Sequence, residues 1–499
     1  MDHPFQPLAR PPLRRQLIFL ISVQALFLVG FETFPISPQR TRLQDIEKLV
    51  ERGKYTEAES LAKVLVAEQA TAAGYDLLAF ISEMLGKLDQ AELAYSKALS
   101  IDERFPSSRV RLAIVYGKEG KHSECIRMLE SGSPRISEEP EALFYWCQSY
   151  LELGNTGKAL EISAKVQQLS KKDPNALLSV AKLLLSKDLY TQATPLLRDT
   201  VRQLPESAEA HYSLALAFFK AREYEKMWSH VQKAQSLDPK GVRNWLLHAM
   251  GLIDIGDFAK AKESLQRVQQ LQPENQSGRF LMSRVLLEEG AYEQAINTLN
   301  GLINAGFEDQ NAHFLLLTAY RRNGEFQKAV EYSLKLTRLF PDSSATYLYA
   351  GLELEFLGEL QRAEEFFRKA IALGEGSPEV ALGARFSLAT TLAKKGDHVG
   401  AASLLEDLVR ENPADIPGRL ELGDIYYRTK QYDAAFRVLR EAVLLDPRNK
   451  RAQFQLGNTL TRLGRQSEAA VHFAVFRDLE QAQDLTEKSH SGVNTKNRK

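Results

Sequence analysis

The sequence predicts an all-α protein, an α-solenoid built from about thirteen stacked helical hairpins. A small residue recurs every 33 or 34 residues, a turn signal precedes it at a fixed distance, and apolar residues lie three and four positions apart on both sides. The apolar spacing gives each helix one apolar face. A repeat of this length is typical of solenoids, in which each unit gains cover only by stacking on its neighbours.

Residues 416–449 are the clearest copy of the repeated unit, with two helices predicted on either side of a turn. Gly423 in the first helix and Ala435 in the second are small, and we expect the two helices to touch there, because small side chains let backbones approach closely. Asp446-Pro447 ends the second helix. Proline supplies no amide hydrogen and restricts the residue before it.

The small residue that opens the second helix marks thirteen copies. Its steps are 33 or 34 residues, except for one of 38 caused by four extra residues near Gly374–Pro378. We interpret that insertion as a longer surface loop or a hinge. An aromatic residue often lies three positions before the small residue, and a glycine two positions before the aromatic. The small residues are Ala58, Ala91, Cys125, Ala159, Ala193, Met227, Ala261, Ala295, Ala329, Ala363, Ala401, Ala435 and Ala469.

A 34-residue helical repeat with these features resembles the tetratricopeptide repeat. The resemblance covers roughly residues 39–481 and implies a right-handed superhelix, with first helices on an inner, concave wall and second helices outside. The first copy departs from the pattern at 40–42, which reads Arg-Thr-Arg, as expected of an end repeat without a neighbour. We divide the chain into an N-terminal segment and linker (1–38), the repeat solenoid (39–481) and a disordered polar tail (482–499).

The N-terminal segment has the layout of a secretory signal. Arg10, Arg14 and Arg15 precede a mostly apolar stretch at 17–31. A membrane span requires about 20 apolar residues, and Gln24 and Glu32 make this one marginal. An uncleaved signal-anchor, a cleaved signal and a buried start to the first repeat all remain open. We expect membrane anchoring or export, with the repeats in a periplasm-like compartment; a cytoplasmic location is the alternative.

Composition and motifs argue against several function classes. The 64 basic and 64 acidic residues cancel, so no overall field favours nucleic acid. The sequence contains no CxxC, HExxH or Gly-x-Ser-x-Gly motif. We therefore expect no enzyme activity, metal, cofactor or small-molecule substrate. The predicted function is a protein-binding scaffold for envelope assembly or secretion machinery; the alternative is a subunit that recruits substrate for a catalytic partner in trans.

The resemblance also implies which side chains face the partner, namely those at the fifth, sixth, ninth and twelfth positions of each unit and their neighbours on the same wall. Aromatic residues and arginine anchor protein interfaces. We expect about half of the rings to pack between units instead. The wall lacks the run of Lys and Asn that the family's carboxylate clamp uses. The predicted partner-binding residues are Phe80, Arg111, Tyr145, Trp146, Lys182, Tyr212, Phe219, Phe280, Arg284, Phe314, Arg321, Arg322, Tyr349, Phe386, Tyr427 and Arg428.

Overall fold

The computed structural model describes residues 38–131, 139–169 and 173–496, so the predicted signal segment at 1–37 lies outside the described residues. Within them the chain forms 26 α-helices, one short 3-10 turn and no strand. Odd-numbered helices are the first helices of the hairpins and even-numbered helices the second. The helices are α1 Pro38–Glu51, α2 Tyr55–Glu68, α3 Ala72–Met84, α4 Leu88–Ile101, α5 Pro106–Lys118, α6 His122–Glu130, α7 Pro140–Glu152, α8 Thr156–Leu169, α9 Pro174–Ser186, α10 Tyr190–Gln203, α11 Ala208–Lys220, α12 Tyr224–Leu237, α13 Val242–Asp254, α14 Phe258–Leu271, α15 Gln276–Glu288, α16 Tyr292–Asn304, α17 Gln310–Arg322, α18 Phe326–Leu339, α19 Ser344–Phe356, α20 Leu360–Ala372, α21 Pro378–Lys395, α22 His398–Glu411, α23 Ile416–Arg428, α24 Tyr432–Leu445, α25 Lys450–Arg462 and α26 Gln466–Lys496.

The chain divides into two compact units, with unit 1 ending at Pro273 and unit 2 beginning at Glu274. Within each unit, every helix packs against the next one along the chain. Successive first helices also contact one another, but contacts between successive second helices are rare. The first helices therefore form the closely spaced wall of each unit, as the sequence predicts. None of the described helices combines the length and the apolar run of a membrane span.

The thirteen small residues lie at the centre of their hairpins, each at most 2% exposed. The contact predicted between Gly423 and Ala435 is made differently. A Cβ built on Gly423 would lie 2.5 Å from Leu439 Cδ2, one turn further along α24. Gly423 therefore leaves room for the large side chain of Leu439. Ala435 is small because its own site in the hairpin is fully buried.

This pairing of a small and a large residue recurs through the chain. Counting Ile416 as position one of its repeat, Gly423 is at position eight and Leu439 at position twenty-four. Gly351 meets Phe367 and Gly457 meets Phe473 in the same register. Because protein interiors are close-packed, a change in volume on one helix must be matched on the other. The remaining pairs at these positions are Ile46/Ala62, Ala79/Tyr95, Ala113/Leu129, Cys147/Ser163, Ala181/Leu197, Ala215/Val231, Ala249/Leu265, Ser283/Leu299, Leu317/Ser333 and Ala389/Leu405.

The turn between the two helices of each hairpin uses one left-handed residue. Ten of the thirteen hairpins have a glycine there, with φ between +70° and +90°. Asp188, Arg222 and Lys430 occupy the same position in the other three, with φ of 57°, 59° and 62°. A side chain in this conformation crowds its own backbone, at a cost of roughly 1–2 kcal/mol.

Replacing Asp188, Arg222 or Lys430 by glycine should therefore raise the free energy of unfolding. Glycine loses more conformational freedom on folding, so we expect a net gain of about 0.5–1 kcal/mol per site. Urea unfolding of each variant measures the gain. Ala221→Gly is the matched control, because Ala221 precedes Arg222 and has φ −79°; it should lower stability. A loss at all three turn positions would contradict the prediction.

The four extra residues form helix, so the predicted longer surface loop is wrong; the alternative, a hinge or a change of superhelical pitch, stays a prediction. The first helices α3 to α25 have 13 residues each, except α21, which has 18 and begins at Pro378. Proline suits this first turn because its missing amide hydrogen would have no helical acceptor there. A 3-10 turn, Gly374–Gly376, leads into it.

The last helix is also longer than predicted. α26 continues to Lys496, through most of the 482–499 segment predicted to be a disordered tail. That segment lacks proline and contains the helix formers Leu, Glu, Gln and Lys. Polar composition alone did not distinguish a helical extension from disorder.

Candidate partner-binding wall

The predicted wall aromatics are all half-buried. Several rings pack between neighbouring elements, as expected. The rings of Phe314 and Tyr349, on adjacent first helices, have centroids 4.7 Å apart. Phe280 packs on Phe307 at 5.9 Å. The wall thus consists of rings that are partly used for packing and partly open.

Trp146 is placed away from the wall. It is the seventh residue of its repeat, one position beyond the register used for the prediction. Its ring stacks on Tyr150 of the same helix, and the Lys165 ammonium of α8 lies 5.4 Å from the ring centroid. Because Lys165 belongs to the second helix of the same hairpin, the structure does not group Trp146 with the other wall residues.

The predicted basic residues are mostly neutralised by carboxylates, which the sequence analysis did not anticipate. The sequence spacing could have indicated these ion pairs, because most of the partner carboxylates lie on the neighbouring first helix, about one repeat away in sequence. Among the described residues, Arg284 differs: it is half-buried on α15 and makes no ion pair. The pairs are Arg111–Glu141 (3.3 Å), Lys182–Glu209 (2.8 Å), Arg321–Glu353 (3.3 Å), Arg322–Glu288 (3.3 Å) and, within one helix, Arg428–Asp424 (2.7 Å).

A charged cluster lies on the wall of unit 1, around Arg111, whose residue surface is only 9% exposed. Lys118 Nζ lies 2.6 Å from Glu83 Oε1 and 3.1 Å from Glu141 Oε1. Asp76 accepts hydrogen bonds from the Ser108 hydroxyl (2.6 Å) and the Ser107 hydroxyl (3.1 Å).

Burial raises the pKa of Asp76 to about 6, although these two hydroxyls and Arg111 oppose the shift. The sequence analysis missed Asp76, Glu83 and Lys118, although they occupy the fifth, twelfth and thirteenth positions of their repeats.

Asp76→Asn tests this burial. The pKa of Asp76 rises from an ordinary 3.8 to about 6 on folding, so the ionised carboxyl weakens the folded state above pH 6. That weakening is relieved as the pH falls from about 6 toward 4, because the folded state then binds the proton more tightly. The free energy of unfolding of the variant, relative to that of the natural chain, should therefore be higher at pH 7 than at pH 4.5. Thermal unfolding of both proteins at both pH values measures this difference. An equal difference at both pH values would contradict it.

The wall of unit 2 contains a cavity between α17 and α19. Close backbone contacts join the other neighbouring first helices of this unit but are sparse between these two. The cavity has a volume of about 300 Å³, at the lower end of the range for ligand pockets. Its lining residues are Leu317, Thr318, Arg321, Arg322, Phe326, Tyr349 and Glu353.

Glu353 is the buried acid of this cavity, with a residue exposure of 0%. Neither carboxylate oxygen has a hydrogen-bond donor in the structure. The nearest charge is the Arg321 guanidinium, whose Nε lies 3.3 Å from Oε1. Burial raises the pKa of Glu353, and Arg321 opposes that shift. Arg321, Arg322 and Tyr349 are predicted partner-binding residues that line this cavity, and Glu353 was not among the predicted residues.

An exposed aromatic pair borders the cavity. The rings of Phe326 and Phe356 have centroids 4.8 Å apart, and the two residues are 40% and 55% exposed. Exposed apolar surface beside a cavity is typical of an interaction site. The cavity and this pair together form one exposed apolar area in unit 2.

Comparisons with known proteins agree with this architecture. Models of the tetratricopeptide repeat match residues 252–319 in one form and residues 178–239, 314–378 and 420–479 in another. The chain is 28% identical over 152 residues to the BBSome complex member BBS4 homolog of Drosophila melanogaster. The match covers 30% of this chain and 31% of that protein, so the chain spans about a third of the relative's length.

Two solved structures are also similar. Yeast Tom70 aligns with a TM-score of 0.43 and 16% identity, over 90% of this chain and 99% of that one. The crystal structure of the APC/C hetero-tetramer Cut9-Hcn1 aligns with a TM-score of 0.41 and 13% identity, over 88% and 99%. The repeat-model matches extend over both units and coincide with the stacked hairpins. The chain therefore belongs to the tetratricopeptide repeat family.

Proposed function

We propose that the protein is a non-enzymatic scaffold that holds a peptide segment or partner protein along its wall of first helices. Tetratricopeptide repeats are interaction modules, and the observation that carries the proposal is the half-buried aromatic wall with a cavity in unit 2. Half-buried rings support binding because they can lose their remaining exposure to a partner without first unpacking the hairpins.

Arg284 is the basic residue through which this proposal is tested. Most of the predicted basic residues are paired with a carboxylate of this chain. Breaking such an ion pair on binding would offset the free energy gained from a new contact. Arg284 makes no ion pair among the described residues and lies on the wall. A partner group can therefore reach its guanidinium without displacing a resident anion.

Site-specific photo-crosslinking tests where the partner lies. A photoreactive residue in place of Phe280, one turn before Arg284 on α15, should capture the partner in the native source. The same residue in place of Arg440, which is exposed on second helix α24, is the matched control and should not. Arg284→Glu should weaken capture at least about tenfold, the effect of losing one charged anchor, and Arg440→Glu should leave it unchanged. Crosslinks at Arg440 alone would place the partner on the other side and contradict the proposal.

Location is a separate part of the proposal. The basic and apolar pattern of residues 10–31 supports membrane anchoring or export, and with it a role in envelope assembly or secretion machinery. Fractionation of the full chain and of a variant lacking residues 1–38 tests this. Membrane or exported recovery of the full chain alone would support it. Equal recovery of both forms in the cytoplasm would contradict it and would leave the wall proposal intact.

A further inference from the structure

Glu353 breaks the pattern of the wall at a position that every other hairpin after the first keeps uncharged. It is the tenth residue of its repeat, where every other hairpin after the first has a buried apolar or small residue. A carboxylate at such a site is unfavourable unless donors surround it. The tenth residues of the other hairpins are Ile81, Val115, Ser149, Leu183, Ala217, Gly251, Val285, Ala319, Thr391, Ile425 and Thr459.

The structure supplies one charged neighbour, the Arg321 guanidinium, whose Nε lies 3.3 Å from Oε1, but neither Glu353 oxygen makes a hydrogen bond. Glu353 is among the residues that line the cavity between α17 and α19. Native proteins rarely leave buried polar atoms unsatisfied, so an occupant with N–H or O–H donors would complete this site.

The charges around the cavity are already balanced. Arg321 is paired with Glu353, and Arg322 with Glu288 at 3.3 Å. A charged occupant would unbalance them, whereas a neutral group that both donates and accepts would fit. Glu353 can accept from such a group, and the Arg321 side chain, 43% exposed, can donate to it. A peptide amide has one N–H donor and one C=O acceptor.

Apart from the Thr318 hydroxyl, the uncharged lining consists of two aromatic rings and one leucine. The Phe326 and Tyr349 rings and Leu317 lie at the same cavity as Glu353 and Arg321. A volume of about 300 Å³ accommodates one residue rather than a long segment.

We propose that this cavity binds one apolar residue of an extended partner segment. Its side chain lies against the Phe326 and Tyr349 rings, a main-chain N–H donates to Glu353, and a carbonyl accepts from Arg321. The proposal specifies which kind of partner residue the wall binds. It rests on the proposed function above, because that function supplies the partner protein.

Small probes test the chemistry without a known partner. The full chain is titrated with N-acetylphenylalaninamide, which is neutral, N-acetylphenylalanine, which is anionic, and phenethylamine, which is cationic, and binding is followed by ligand-observed NMR. The neutral amide should bind about tenfold more tightly than either charged probe, the expected effect of one hydrogen bond to a charged group. Tighter binding of the amine or of the acid, or no binding of any probe, would overturn the inference.

Variants locate the binding. Glu353→Thr introduces the residue that α21 and α25 carry at the same position, and it should weaken binding of the neutral amide about tenfold. Arg321→Gln, at a half-exposed site, should weaken it as well. Glu355→Thr changes a carboxylate two residues further along that does not line the cavity, and it should leave binding unchanged. Equal affinity in the Glu353→Thr variant would overturn the assignment.

The outcomes separate this inference from the function on which it rests. Crosslinks at Phe280 without probe binding would leave the scaffold in place and remove the cavity as its anchor. Probe binding that depends on Glu353, together with crosslinks only at Arg440, would support the cavity as a binding site for a peptide-like group. It would contradict the proposal that the partner lies along the wall.

Discussion

Phe367→Ala is expected to lower the free energy of unfolding of unit 2 by about 3–5 kcal/mol, the usual loss for a buried ring. The Phe367 ring is fully buried and packs directly on Gly351, where a Cβ would lie 2.6 Å from the ring. Since no side chain at Gly351 can move in, the cavity left by the ring would stay open. Urea unfolding combined with hydrogen exchange measures the loss and shows whether it is centred on α19 and α20, as expected for repeats that unfold locally.

Substitution of Gly351 tests the same contact from the opposite helix. Gly351→Ala alone should cost roughly 1–3 kcal/mol by overpacking against Phe367. Adding Phe367→Leu converts the pair to the alanine and leucine found at Ala113 and Leu129, and it should recover most of that loss. The coupling between the two substitutions is expected at about 0.5–3 kcal/mol. Strictly additive effects would show that the two positions do not share one space.

Glu353→Thr is expected to stabilise unit 2 by about 1–3 kcal/mol, the usual cost of burying a polar group that makes no hydrogen bond. The Glu353 carboxylate is fully buried and lacks hydrogen bonds, whereas a helical threonine can satisfy itself. At the same position in α25, the Thr459 hydroxyl donates to the Gln455 carbonyl at 2.8 Å. Arg321 remains half-exposed to water, so losing its partner should cost little. Thermal unfolding of the full chain measures the gain.

Glu355→Thr is the control for that prediction, since Glu355 lies on the same helix but is satisfied. It accepts a hydrogen bond from the Thr391 hydroxyl at 2.9 Å and pairs with Lys394 at 3.1 Å. Removing it loses the hydrogen bond from Thr391 and the ion pair with Lys394, which together should cost about 1 kcal/mol. Opposite signs for the two variants would show that Glu353 is kept for binding at the expense of stability. A loss in both would mean that Glu353 stabilises the fold.

Much of the fold follows from the sequence because each hairpin is specified locally. The thirteen small residues, the turns and the pairing of helices along the chain agree with the pattern read from the residues. The errors arise where the local signal was compatible with two structures. The inserted residues before Ala381 could form a loop or extend a helix, and Pro378 favours the helix only once its place at the helix start is known.

The candidate site was less predictable than the fold. Tyr349, Arg321 and Arg322 were assigned to the wall from their register, but the register could not show that both arginines are already paired. Trp146 was predicted to face the wall although it lies one position beyond the wall register. A shift of one residue turns a helical side chain by about 100°. Glu353 was detectable in principle, as the one carboxylate at the tenth position of any repeat, but its meaning depends on burial.

By itself, the sequence determined the repeat length, the order of helices and the small residues at which each hairpin closes. These features depend on residues within one repeat, where the spacing along the chain fixes the distance in space. Only the tertiary structure decided which carboxylate neutralises which arginine, which glycine meets which ring, and where the first helices separate to leave a cavity. Those contacts join different helices, and small differences in helix spacing determine whether two side chains meet, leave a gap or trap a charge.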